Sequence, residues 1–180
     1  MRHWIMALFL LACDGYPPDN GLKTVGGAQA TPLPAPVPIV CAISPCSEVD
    51  GAIDWWHEQN GLDLFIRVPR GTPSSVPITE GDLPIDGSVL LDDNWWSGQG
   101  GYPTGMAITT YVGSVAVSAE IILQRGDWTQ YTVRHELGHI AGLADDEYSI
   151  DLNSIMATPH FRWSIVTAHD RALLEAAHGY

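Results

Sequence analysis

The residues best suited to chemistry in this chain lie together in His135-Glu136-Leu137-Gly138-His139, followed by Gly142 and Asp145. At about 100° per residue a helix sets His135 and His139 about 40° apart, so both imidazoles can face one ion. Glu136 is turned about 100° from His135, too far to join them comfortably as a ligand but well placed to meet a water held on the metal. It reads as a general base. Two histidines four residues apart also occur on solvated helix faces, and what sets this segment apart is its continuation. Gly142 supplies the positive φ that ends a helix abruptly, and the Asp145 carboxylate follows where a chain folding back can present a third ligand. Asp146 and Glu147 are rival ligands by chemistry alone.

This run resembles the metzincin family of zinc metallopeptidases, in the minority form HExxHxxGxxD of snapalysin-like peptidases rather than the commoner HExxHxxGxxH. The resemblance implies one zinc ion held by His135, His139 and Asp145, the residue with the family spacing, and Glu136 as catalytic base. Asn153-Ser154-Ile155-Met156 looks like the family's Met-turn, with Met156 as a hydrophobic base beneath the metal, and Thr167 to Tyr180 looks like the closing helix of matrixin-type domains. Gly105 to Val112 would be the edge strand that pairs with an extended substrate, the alternative being an ordinary sheet strand. Pro159, His160 and Phe161 would wall the pocket beside the scissile bond. Element order carries the likeness from Ile39 to Tyr180, but only His135 to Met156 is motif-specific. Thr158 stands where some members place a transition-state tyrosine, and no cysteine-switch motif precedes the domain.

Zinc with two neutral imidazoles and one carboxylate keeps a net charge of about +1, enough to acidify bound water when a position stays open. The implied activity is an endopeptidase acting on proteins or peptides. The alternatives are a lipoprotein that keeps the domain as a low-turnover binding module, and a zinc hydrolase of non-peptide amides. An intact Glu136 favours an enzyme, because a binding module could lose its base without unfolding.

The elements that must position these groups can be read around them. Ile39 to Ile43, Leu62 to Val68, Ser88 to Leu91, Gly105 to Val112 and Ser118 to Gln124 are strand candidates. Glu48 to Asn60 has helical spacing through Val49, Ile53 and Trp56 and stops at Gly61; further helices are expected over Thr132 to Ala141 and Thr167 to Ala177, the last capped by Gly179. The fold class is α+β. By resemblance it is a metzincin-like zincin domain, a twisted mixed sheet with an active-site helix and a C-terminal helix. Trp55 and Trp56 read as core rather than a carbohydrate platform, and His57, His169 and His178 as solvated or capping groups. Asp92, Asp93 and Asn94 beside Trp95 and Trp96 offer hard oxygens to calcium, though without EF-hand spacing, and a solvated loop is the alternative.

With 8 basic and 21 acidic side chains the net charge is -13, which repels phosphate backbones and argues against nucleic-acid binding. Arg2 and His3 followed by the apolar run Trp4 to Leu11 have the form of a signal peptide, covering residues 1–12. The run ends in Leu10-Leu11-Ala12-Cys13, which resembles the bacterial lipobox, so Cys13 is expected to carry a lipid. An ordinary signal peptide ending near a cysteine is the alternative. The implied location is an exported domain, a monomer attached to a bacterial membrane only through that anchor. Asp14 to Pro38, rich in Pro, Gly and Ala, is expected to be a tether completing residues 13–38, with one catalytic domain over 39–180. Cys41 and Cys46 remain as an even pair in an export context, and a disulfide between them is the simple expectation.

Overall fold

Strand β6 (Gly105–Val112) buries Ala107, Thr109 and Tyr111 on one face while the residues between them stay half-buried, the two-residue period of a strand on a core. It turns at Gly113, φ 64°, into β7 (Val115–Gln124), with which it pairs antiparallel. This computed structural model describes residues 21–83, 104–145, 153–157 and 165–180. Its main sheet also contains β3 (Val37–Cys41), β4 (Phe65–Arg67) and β5 (Val76–Gly81), in the order β4-β3-β5-β7-β6. All neighbours are parallel except β6 and β7, so the sheet is mixed, and β6 is at its edge among the described residues.

Three helices complete the α+β architecture among the described residues. Helix α1 (Ser47–Asn60) ends at Gly61 in the left-handed region, the conformation glycine adopts without strain. It buries Val49, Ala52, Ile53 and Trp56, and the Trp56 indole donates to the Arg134 carbonyl of α2 (Gln130–Ile140) at 2.9 Å. Trp55 is partly buried beneath the Arg134 guanidinium, so both tryptophans serve packing. Helix α2 starts in a reciprocal cap between Thr129 and Thr132, and α3 (Ala168–His178) in one between Thr167 and Asp170. Strands β3, β5 and β7 and the inner faces of the helices share one core, with Ile39, Ile78, Ile121, Leu137, Ile155 and Leu174 fully enclosed. A disulfide joins Cys41, at the end of β3, to Cys46, which caps α1.

Two departures from the sequence reading concern residues before β7. Strand β5 was not among the expected strands: Pro77 lacks an N–H and argues against an interior strand, yet it sits in register with Val40 of β3. The tether expected to reach Pro38 is packed from Gly21 onward. Thr24–Val25 (β1) and Ala28–Gln29 (β2) form a small hairpin, Thr31 bridges to Val115, and Leu22 and Ala30 are buried. Backbone pairing holds this segment, and pairing needs no apolar period that composition could reveal.

No helix among the described residues is long and apolar enough to cross a membrane. The signal peptide, Cys13, the Ser88 to Leu91 strand candidate and the Asp92, Asp93 and Asn94 cluster lie outside the described residues, as do Asp146, Glu147, Thr158, Pro159, His160 and Phe161.

Candidate metal centre

Helix α2 runs past the sheet beside β6 with His135, Glu136 and His139 all buried at 3–4% exposure. The helix stops at Ala141, and Gly142 turns the chain with φ 102°. A side chain rarely adopts that conformation, which is why glycine stands there. Three residues on, the Asp145 carboxylate returns to the two histidines: its Oδ1 lies 3.2 Å from His135 Nε2 and 3.4 Å from His139 Nε2. One donor atom from each of the three residues falls within 4.8 Å of the others, and among the described residues this is the cluster able to hold a metal ion.

The opposite ring nitrogens are already committed. His135 Nδ1 donates to the Ile155 carbonyl at 2.9 Å, and His139 Nδ1 donates to the Leu143 carbonyl at 3.0 Å. A carbonyl can only accept, so each Nδ1 carries a hydrogen and each neutral ring turns its Nε2 lone pair toward Asp145. Buried lone pairs on two nitrogens and a carboxylate oxygen repel unless a positive charge lies between them, supplied by protons or by a metal. The proton alternative appears in the pKa directions. Burial opposes charge on His135, but the carboxylates of Asp145 and Glu136 and the Ile155 carbonyl outweigh it and raise its pKa from the ordinary 6.5 to about 9. Burial likewise opposes charge on Asp145, yet His139 and His135 together hold its carboxyl well below the ordinary range. Asp145 Oδ1 and Glu136 Oε2 are buried without a hydrogen-bond partner among the described residues, an expensive arrangement for acceptor atoms.

Glu136 faces Gly105 at the start of β6. A methyl group placed on Gly105 would stand 2.9 Å from both Cγ and Oε1 of Glu136 and 2.6 Å from the Thr132 methyl, so only glycine lets strand and carboxylate approach this closely. Met156, 1% exposed, sits under the helix with its sulfur against Gly138, between the two histidines in sequence. Its turn is tied to α3. Ser154 Oγ accepts from Met156 N at 3.0 Å and lies 2.9 and 3.1 Å from the two Asp170 carboxylate oxygens, while Thr167 N and Oγ1 each donate to Asp170 Oδ2 at 2.9 Å. The same turn presents the Ile155 carbonyl to His135, so a chain of hydrogen bonds runs from the C-terminal helix to the His135 ring. At the far end of α3, His178 Nε2 donates to the Ala141 carbonyl at 3.0 Å and braces the end of α2.

The structure therefore brings His135, His139, Asp145 and Glu136 together and packs Met156 against Gly138 of the same helix. Four contributors escaped the sequence reading: Gly105, Asp170, and the carbonyls of Ile155 and Leu143. Gly105 carried a legible sign, a glycine opening an alternating strand, whereas a carbonyl acceptor is available at every residue and carries no sign at all. No protein-family model matches the sequence, and no curated protein is significantly similar to it.

Proposed function

We propose that the chain is a zinc-dependent endopeptidase of metzincin type. The observation that carries this reading is the convergence of His135 Nε2, His139 Nε2 and Asp145 Oδ1, with the 3.2 and 3.4 Å separations already described. Donors bound at about 2.0–2.1 Å to one tetrahedral ion stand roughly 3.3 Å apart, which both separations from Asp145 match, and all three donors lie within 4.8 Å of one another. The donor set suits it as well, since two imidazoles and a carboxylate are ligands that zinc commonly takes in hydrolases.

A zinc ion held there supplies a Lewis acid that acidifies a bound water and polarises the substrate carbonyl. Glu136 does the proton work. Its buried Oε2 has no partner among the described residues and can accept the proton of the attacking water, then donate it to the leaving amine as the peptide bond breaks. Gly105 leaves room for that carboxylate beside the strand, and the Ile155 and Leu143 carbonyls fix both imidazoles in the tautomer that offers Nε2. Strand β6, at the edge of the sheet among the described residues, would accept an extended peptide along its side away from β7, the recognition mode that suits protein or peptide substrates. We place the domain outside the cytoplasm, on a lipid carried by Cys13 and as a monomer.

The test is metal analysis of the purified protein together with cleavage of a broad peptide library, with and without chelator. One equivalent of zinc and cleavage abolished by chelator are expected. Fully folded protein that takes up no zinc would remove the reading.

A further inference from the structure

The third metal-binding residue stands outside the helix that carries the other two, so helix geometry cannot fix it. Leu22 pairs with Leu143 in an isolated antiparallel bridge, and a hydrogen bond flanks the pair on each side: Lys23 N donates to the Gly142 carbonyl at 3.0 Å, and Ala144 N donates to the Gly21 carbonyl at 3.1 Å. The Leu22 side chain is 6% exposed and belongs to the main core. Pro32, farther along the same segment, closes on Gly142, where an added methyl group would come within 3.2 Å of its ring. Residues 142–144 lead from Ala141, the C-cap of α2, to Asp145, and their Leu143 carbonyl is the acceptor that orients His139. A strip of N-terminal chain thus steadies two of the three donors from outside the motif.

We propose that Gly21, Leu22 and Lys23 form a clamp that positions Asp145 and, through Leu143, His139, which makes the N-terminal segment part of the metal site rather than a spacer leading to it. This rests on the zinc reading above. The clamp acts by holding backbone: with residues 142–144 paired, Asp145 has little freedom left, and the entropy of ordering the third ligand is already spent before metal arrives. Loss of the pairing would return that cost to the binding step. The residues concerned are positioning residues and touch no reacting atom.

A residue that merely stabilises the fold leaves the zinc affinity of folded protein unchanged, because binding to the native state is then untouched. This separates the two roles. In the full-length protein, Lys23→Pro removes the N–H that bonds to the Gly142 carbonyl, and Leu22→Asp expels the buried side chain. Both should weaken zinc binding roughly tenfold, equivalent to about 1.4 kcal/mol, measured by competition with a chromophoric chelator on samples whose near-ultraviolet dichroism remains native. The Ala144 amide should exchange with solvent faster in both, and Leu22→Ile should restore wild-type values. If Leu22→Asp does not fold, Lys23→Pro and the Ala144 exchange rate still decide. Folded variants with wild-type zinc affinity would overturn the clamp while leaving the zinc site standing. A wild-type protein that binds no zinc would overturn the zinc reading and take the clamp with it.

Discussion

Glu136→Gln exchanges one carboxylate oxygen for an amide while leaving His135, His139 and Asp145 as they are, so it separates proton transfer from metal binding. Turnover should fall by roughly 10²- to 10⁴-fold, the usual contribution of a positioned base, while zinc stoichiometry stays at the wild-type value. A variant that cleaves peptide at the wild-type rate would remove Glu136 from the mechanism. The histidines admit a different test, through pH. In metal-free protein the His135 pKa is raised from 6.5 to about 9, so its contribution to stability is complete below about 6.5 and is lost as pH rises through about 9. With zinc bound the sign reverses, because protons compete with the ion for the imidazoles and stabilisation by the metal grows as they leave. Melting temperatures from pH 6 to 10 should therefore fall in chelator, relative to a His135→Gln control, and rise or hold steady in zinc; parallel curves would contradict the assignment. At this scale the convergence of His135, His139 and Asp145 was legible because helix geometry and one glycine determine where they can point. Their hydrogen-bond acceptors, the Ile155 and Leu143 carbonyls, were not, since backbone oxygens are indistinguishable in a sequence.

Helix α2 is held where a glycine meets a methionine. Gly138 lies against the sulfur of Met156 and 3.3 Å, by its added methyl, from the Trp56 ring. Gly138→Ala sets two effects against each other. Alanine is favoured in a helix interior by about 1 kcal/mol, while overpacking a filled core costs about 1–3 kcal/mol; both Met156 and Trp56 are enclosed, so overpacking should prevail and leave the variant less stable. Urea unfolding measures this, and the cost of Gly138→Ala should shrink when it is measured in a Met156→Ala background. A Gly138→Ala protein more stable than wild type would mean the packing there is loose. Elements bounded by strong punctuation were legible, as β6 was from Gly105 to the Gly113 turn and α1 was from its stop at Gly61. Strand β5 was hidden by Pro77, and the β1 and β2 hairpin by its brevity. The Asp170 anchor under α3 was hidden because an aspartate in the first turn of a helix has an ordinary explanation, a favourable place in the helix dipole, and nothing local reveals that Ser154 lies 2.9 Å away.

At the scale of the whole molecule, charge bears on how the protein would be kept at a membrane. A net charge of -13 repels a bilayer surface that carries anionic lipids, and the described residues contain no helix able to span one. Under the lipid-anchor reading, attachment comes from apolar burial strong enough to overcome that repulsion. Acyl chains on Cys13 would supply it, at about 0.8 kcal/mol for each buried methylene, and more than one chain is needed for a stable hold. Because the attraction would not be electrostatic, washing membranes with concentrated salt should not release the wild-type protein. Salt would instead screen the repulsion and leave the anchor slightly tighter. Cys13→Ser should appear in the soluble fraction at every salt concentration while keeping zinc content and peptidase activity, since the site begins with the clamp at Gly21 and Cys13 lies ahead of it. Fractionation of cells expressing each form, followed by zinc analysis of the released protein, measures both halves. Cys13→Ser protein that stays with the membrane in high salt would show that something other than a lipid on that cysteine holds the domain, and the exported, lipid-anchored location would have to be withdrawn.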